Sequence, residues 1–593
     1  MVSAAKSNEA SQSQQIARQR RVPSSATQTT KTQVEDVPYT LAGARTSPLS
    51  GALRIACAWL LTASTVCHPG TASAKAIQTA IDDPAAACSA LGQASIKDTQ
   101  IESASVLPAG SSFKDPDGKP VQTSTAVCRV VATVSTEPAE HVGIEVWLPL
   151  DGWNGRLLGV GSGGFGGSIV YSELAPAVAR GFAAANTDTG HRGGAQGAVG
   201  QRLDWATNPT QLRDWGHTSI HLMTVAAKAI VQSYYGHGAA HAYYSGCSTG
   251  GAEAMEEVEY YPEDYDGVHA GSPGMGYSHL MESFLWGARL PAQQPDAKLT
   301  PDALAVLNHA ALEHCGGDGA VRDGFLANPL ACHFDPAQVQ CKAGDDPAHC
   351  LSAAQAHEAA RLYSPVLDAR TGKALYPGFA PGSESQWALI QGALVPNYAQ
   401  PLVANVVFNN PDWDWTTFDF AADGDRLDAK LAPSSDAMHT DLTRFKAHGG
   451  KLIMTQGWSD SLNAQTLPIE YFEDVARREG GVPKTQHFFR LVMVPGMSHC
   501  GGGPGANTVG GGVPPVSNST DRDVVSALQA WVEHDQAPSS FIATKYIGDK
   551  KETGVQFERP VCVYPTVPTY DGHGNRNAAS SFRCEPAARL TRP

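Results

Sequence analysis

An apolar run through Tyr243 and Tyr244 passes by way of Ser245 into Gly246-Cys247-Ser248-Thr249-Gly250-Gly251 and on into a helix-forming stretch. Small residues on both sides of Ser248 let a chain turn sharply from strand to helix. Such a turn holds the serine in a strained conformation, with Oγ exposed above the edge of a sheet. The helix that starts there aims its amide dipole at the same point. Alone, G-x-S-x-G is weak in a chain with 59 glycines. A strand before it and a helix after it make it a constraint on the whole fold, which must supply a sheet for the turn to stand on.

A serine hydroxyl is a poor nucleophile until a base takes its proton, and a carboxylate must hold that base in the right tautomer. On such a sheet the partners follow in the order Ser, Asp, His. Asp460, in Gly457-Trp458-Ser459-Asp460-Ser461, comes just past an apolar run at 451–455. His499, in Pro495-Gly496-Met497-Ser498-His499-Cys500, comes just past another at 488–494. Both fall where strands end, the edge from which Ser248 emerges. His217, His221 and His487 compete less well, because their segments read as helical or strand-internal, and Asp474 is the fallback acid. Thr249 N–H is the expected first oxyanion donor. The Gly-rich run 159–167 offers the second, with Gly163 preferred and Gly164 beside it. A phosphate cradle is the rival reading of that run, but it lacks a G-K-[ST] lysine.

The expected fold is therefore α/β, an α/β-hydrolase core sheet flanked by helices. Candidate strands are 143–150, 156–160, 182–186, 241–245, 268–270, 451–455 and 488–494, with helices at 220–235 and 250–261. The rhythm breaks after Gly271 and resumes at Lys451. Residues 75–270 and 451–593 then form the catalytic domain, and 271–450, rich in Pro, Gly and Asp, a large inserted lid domain. Its Trp387, Trp413, Trp415 and Phe418 either line a substrate cleft or form the lid's own core.

Apolar residues at 42% and charged residues at 17% fit a soluble globular chain. The net charge of −15 argues against nucleic acid or an anionic membrane as partner. Residues 1–50, rich in Ser, Gln, Thr and Arg, read as a disordered extension or a start-site artefact. Residues 51–74 read as an export signal: the apolar stretch 55–66 is too short to span a bilayer, and Ala72-Ser73-Ala74 precedes a cleavage point at Lys75. A buried helix is the alternative. The expected location is secreted or periplasmic, with no membrane attachment after signal removal.

Losing that segment removes Cys57 and Cys67 and leaves ten cysteines, an even number that suggests disulfides in an exported chain. Zinc is the rival, but no C-x-x-C knuckle is present. Cys247 precedes the candidate nucleophile and Cys500 follows the candidate base. A Cys247–Cys500 bond, which requires Cα atoms about 4.4–6.8 Å apart, would clamp the two together. The alternative is two merely buried thiols.

Cys247-Ser248, Asp460 and His499-Cys500 together resemble the Cys-Ser, Asp, His-Cys pattern of the tannase/feruloyl esterase family, which includes the hydrolase of mono(2-hydroxyethyl) terephthalate. Tyr261-Pro262-Glu263-Asp264-Tyr265-Asp266-Gly267, Pro381-Gly382-Ser383-Glu384 and Arg559-Pro560-Val561-Cys562-Val563-Tyr564-Pro565 are also similar to it. The resemblance runs from about Cys88 to Cys584. It implies disulfides Cys88–Cys128, Cys315–Cys332, Cys341–Cys350 and Cys562–Cys584 besides the central one, and no required cofactor. Many members carry a calcium loop C-D-x-x-D-G-x-x-D-G. Here Gly316 and Gly319 replace two aspartates, Asp323 stays in register and Asp318 is displaced, so a structural calcium site is expected to be weakened or lost.

The resemblance implies a serine carboxylic-ester hydrolase acting on esters of small aromatic acids, with feruloyl (hydroxycinnamoyl) esters first, gallate esters second and terephthalate monoesters third. A catalytically silent binding protein on the same scaffold and a serine peptidase are the competing classes.

Overall fold

The computed structural model describes residues 82–587 apart from 117, 138–139, 194–201 and 511–515. The expected extension at 1–50 and export signal at 51–74 lie outside the described residues.

Nine strands form one sheet: β1 (Thr99–Leu107), β2 (Val127–Glu137), β3 (Glu140–Pro149), β4 (Arg156–Val160), β5 (Ala183–Thr187), β6 (His241–Cys247), β7 (Gly267–Gly271), β8 (Lys451–Gly457) and β9 (Phe489–Val494). Their spatial order is β1-β2-β3-β5-β4-β6-β7-β8-β9. The first three and β5 pair antiparallel, and every pairing from β5 onward to β9 is parallel. This is the α/β-hydrolase architecture. The parallel half is what matters for the site, since it places the carboxyl ends of β4, β6, β7, β8 and β9 along one edge.

Side chains in each strand alternate between two apolar layers, as the two-residue pleat requires. In β6, Ala242 and Tyr244 face one core and Tyr243 the other; in β8, Leu452 and Met454 oppose Ile453; in β9, Leu491 and Met493 oppose Val492 and Val494. Helices α2 (Ser219–Tyr235), α3 (Thr249–Tyr260) and α5 (Leu467–Glu479) bury their apolar faces in the first layer. Helices α1 (Tyr171–Ala179) and α6 (Val524–His534) cover the second. Burial on both faces explains why these strands read as near-continuous apolar runs rather than clean alternations.

The crossover from β7 to β8 holds helix α4 (Tyr277–Gln293), further helices at Pro301–Asp323, Ala353–Tyr363 and Ala422–Ser435, and several single turns. Its large aromatics pack among themselves. Trp387 is fully buried against Tyr363 and Phe379 and donates its indole N–H to Ser383 Oγ. Trp413 stacks on Phe408 at 4.4 Å and meets Phe418 edge-on.

Five cysteine pairs lie at disulfide distance. Cα–Cα separations are 5.6 Å for Cys88–Cys128, 6.0 Å for Cys247–Cys500, 5.3 Å for Cys315–Cys332, 5.0 Å for Cys341–Cys350 and 5.6 Å for Cys562–Cys584. Among the described residues no helix is long and apolar enough to cross a membrane.

Candidate active site

Ser248 stands between β6 and α3 with φ 65° and ψ −121°, a conformation costly for any residue with a Cβ. Close backbone approach makes the turn possible. A Cβ on Gly161 would fall 2.7 Å from Gly250 Cα and 2.8 Å from Gly246 Cα, so glycine is required at all three crossing points. The two glycines of G-C-S-T-G thus answer a third in the loop after β4.

The structure brings Ser248 and His499 within hydrogen-bond reach, with Ser248 Oγ 2.7 Å from His499 Nε2. His499 Nδ1 is 2.9 Å from Asp460 Oδ2. A carboxylate only accepts, so Nδ1 carries the proton and Nε2 is left to accept from the serine hydroxyl. Asp460 is fully buried and saturated with donors. Its Oδ2 also accepts from Gln456 Nε2 at 3.0 Å, and its Oδ1 from the N–H groups of Leu462 (2.8 Å) and Asn463 (3.1 Å). Its loop is tied to that of His499 by Ser459 N–H donating to Met497 O at 2.9 Å. Asp474, the fallback acid, is partnered instead with Arg477 on α5. His217 faces Ser434 O and His221 pairs with Asp264 at 2.6 Å, while His487 is exposed.

The loop after β4 is held against the start of α3. Gly250 N–H donates to Ser162 O at 2.9 Å, and Thr249 Oγ1 donates to Gly164 O at 2.5 Å. That brings Gly163 and Gly164 alongside Thr249. Sequence reasoning missed what anchors this loop. Glu253, fully enclosed in α3, accepts from Ser162 N–H at 2.9 Å, from Tyr244 Oη at 2.7 Å, and from the Ser162 hydroxyl. Burial pushes its carboxyl above the ordinary range, against the opposing pull of these donors. Four glutamates crowd α3 at positions 253, 256, 257 and 259, and only their enclosure in the structure sets them apart from an ordinary acidic helix surface. If this loop carries the expected oxyanion donor, Glu253→Ala lowers kcat by about tenfold to a hundredfold, the cost of displacing it by a fraction of an ångström. Steady-state kinetics beside circular dichroism check this; an unchanged kcat in a folded variant counts against the positioning role.

A pocket beside Ser248 is lined by Tyr277, Leu280, Met281 and Phe284 of α4, with Tyr398 and Leu462. At about 20 Å³ it admits little more than a water, so an aromatic group enters only when these side chains move. Trp387, Trp413, Trp415 and Phe418 are not among its lining. A larger cavity of about 430 Å³ lies between the segment 374–381 and α5 and contains none of Ser248, Asp460 and His499. The candidate site is the smaller one, because Ser248 lines it.

Calcium does not fit the degenerate loop. Asp318 is exposed, Gly316 and Gly319 offer no side-chain oxygen, and Asp323 is engaged by guanidinium groups, with Arg322 Nε at 3.2 Å, Arg576 Nη2 at 3.5 Å and Arg559 Nη2 at 3.6 Å.

A family model described as "Tannase and feruloyl esterase" matches residues 126–585. The chain belongs to that family. It is 34% identical over 531 residues to an uncharacterized esterase of Xanthomonas campestris pv. campestris, covering 84% of this chain and 91% of that one. It is 31% identical over 502 residues to a "probable feruloyl esterase B-2" of Aspergillus terreus, covering 82% and 93%. The structure is similar to that of feruloyl esterase B from Aspergillus oryzae, with TM-score 0.77 and 27% identity, over 85% of this chain and all of that one. It shares its fold with tannin acyl hydrolase from Aspergillus niger, at TM-score 0.65 and 20% identity over 84% of this chain and 93% of that one. As a member of the tannase and feruloyl esterase family, the chain is a carboxylic-ester hydrolase.

Proposed function

We propose that this is an exported serine esterase that cleaves hydroxycinnamoyl esters through an acyl-enzyme. The observation that carries the reading is the 2.7 Å approach of His499 Nε2 to Ser248 Oγ, with Asp460 behind the ring. Ser248 Oγ attacks the ester carbonyl as its proton passes to His499 Nε2. The developing oxyanion is held by the N–H groups of Thr249 and Gly163. His499 then protonates the departing alcohol. In the second half a water, deprotonated by the same nitrogen, attacks the acyl carbonyl and releases the acid and the free serine. Asp460 keeps the imidazole in the working tautomer and stabilises its cationic form.

The 271–450 segment acts as the lid, and its Tyr277, Phe284 and Tyr398 give the acyl group aromatic faces to pack on. Relatives named as feruloyl esterases, more than 30% identical over most of both chains, favour the hydroxycinnamoyl group over gallate. Five cysteine pairs at bonding distance support export, because such bonds persist in oxidising compartments.

Hydrolysis of methyl ferulate and methyl gallate by the purified, oxidised protein tests the substrate. The expected result is a kcat/KM at least about tenfold higher on the ferulate, which corresponds to roughly 1.4 kcal/mol of transition-state discrimination. The opposite preference moves the assignment to gallate esters. Inactivity on both overturns the substrate class.

A further inference from the structure

Behind the loop that carries His499 lies a cavity of about 330 Å³ that shares no lining residue with the pocket beside Ser248. Pro495 of the His499 loop, Phe325, and Tyr570 and Phe582 of the C-terminal hairpin (β12, Thr566–Tyr570, and β13, Phe582–Pro586, which follow a hairpin of β10, Ser540–Tyr546, and β11, Val555–Cys562) form its walls. Its charge is one-sided. Arg559 and Arg576 both line it, Arg322 stands next to them, and Asp323 is the one carboxylate that all three guanidinium groups share.

Arg559 is built in, while Arg576 is partly exposed with its Nε enclosed. Arg559 is 8% exposed, and its guanidinium is packed between the rings of Phe557 (4.7 Å) and Phe582 (4.4 Å). Burial pulls it below its ordinary value, opposed by Asp323 and reinforced by Arg576. Arg576 lies over Tyr570 at 4.4 Å, and its Nε is buried with no hydrogen-bond partner. A buried donor left unmade costs on the order of 1–3 kcal/mol, so its persistence asks for an acceptor. Gly319 faces two of these guanidinium groups across the cavity. A Cβ there would stand 3.8 Å from both Arg322 Nη2 and Arg576 Nη2.

We propose that this cavity binds a small oxyanion between Arg559 and Arg576. Arg559 Nη1 donates to the carbonyls of Glu558 and Arg576, and planar guanidinium groups match carboxylate and phosphate oxygens through the N–H groups that remain. The anion neutralises the excess positive charge that Asp323 leaves and accepts from Arg576 Nε. Phe325 links the cavity to the proposed active site, because it packs against Gly496, where a Cβ would stand 2.7 Å from its ring.

Thermal unfolding of the whole protein in inorganic phosphate, in acetate and in sodium chloride at matched ionic strength tests this. Phosphate or acetate at a hundredfold its Kd is expected to raise the midpoint by about 2–3 °C over chloride. The two arms distinguish an inorganic from a carboxylate ligand. Arg576→Gln, at a side chain 37% exposed and therefore tolerant of change, abolishes the ligand-dependent increment whatever its effect on the baseline. Asp323→Asn enlarges it. An increment no greater than that of chloride, or one retained in Arg576→Gln, overturns the proposal. So does calcium raising the midpoint where phosphate does not.

Discussion

In the Ser248→Ala protein, kcat for methyl ferulate is expected to fall by roughly 10⁵–10⁶-fold, the loss seen when a catalytic serine is removed from a serine hydrolase that otherwise keeps its site. Stability is expected to stay within about 1 kcal/mol, since the same strained backbone is kept and one half-buried hydroxyl is lost. Asp460→Asn makes the companion case. The amide still fills the space but presents a donor where His499 Nδ1–H needs an acceptor, and the resulting wrong tautomer costs about 10⁴-fold. The four hydrogen bonds on Asp460 make it a demanding site for this exchange, because Gln456 and two backbone N–H groups compete for the amide oxygen that remains. Burst-free kinetics with more than about one per cent of wild-type turnover in Ser248→Ala would remove the serine from the mechanism. A silent scaffold would show no activity to lose.

The second large effect concerns Cys247 and Cys500, 253 residues apart in sequence and adjacent to the candidate nucleophile and base. Replacing both by serine releases a loop whose closure, in the chain-entropy model, stabilises the fold by about 5 kcal/mol. With roughly 500 residues in the described fold this lowers the thermal midpoint by about 5 °C. Turnover should fall as well, since both ends of the 2.7 Å serine–histidine contact lose a covalent tether. The pair Cys341–Cys350, which closes a 9-residue interval in the crossover, is the control. Its loss costs under about 3 kcal/mol by the same model and leaves kcat unchanged. Equal losses of turnover in the two double variants would show that the central pair is no more than a stability element.

Much of this architecture is legible in the chain because its signals are local. Strands β3 to β9 are largely apolar stretches between turns, and their observed bounds differ from the sequence reading by at most three residues. Ser248 directly follows such a stretch and Asp460 and His499 follow theirs within five residues, so a strand end and a small-residue turn suffice to nominate them. Strands β1 and β2 escaped notice. The polar residues Thr99, Gln100, Glu102 and Ser103 dilute β1, whose exposed edge tolerates them, and in β2 burial alternates but apolar Val131 stands at a half-buried position, so the sequence shows no clean polar–apolar period. The pocket lining was not legible at all. Tyr277 and Tyr398 are brought together only by the packing of the crossover, and no periodicity marks an aromatic that faces a cleft over one that faces a core. Trp387, Trp413 and Phe418 illustrate the difficulty, since each is a core residue. Glu253 reads as an ordinary helix surface residue until its helix is seen enclosed. The cluster of Arg559 and Arg576 on Asp323 joins segments more than two hundred residues apart, and charge pairing at that range leaves no trace in spacing.

The crossover between β7 and β8 has a consequence for how such a protein changes over time. Neighbouring parallel strands cannot be joined by a tight turn, so some excursion at this point is compulsory, and its length is free. Of the side chains that line the pocket beside Ser248, those of Tyr277, Leu280, Met281, Phe284 and Tyr398 come from this excursion, while Ser248, Asp460 and His499 come from segments outside it. On the proposed mechanism, most of the side chains that would select the acyl group therefore lie in a stretch of the chain separate from the three proposed catalytic residues, with Leu462 an exception. If the proposed mechanism holds, recombination or a mutant library confined to codons 277–398 would explore new acyl groups while Ser248, Asp460 and His499 are inherited unchanged.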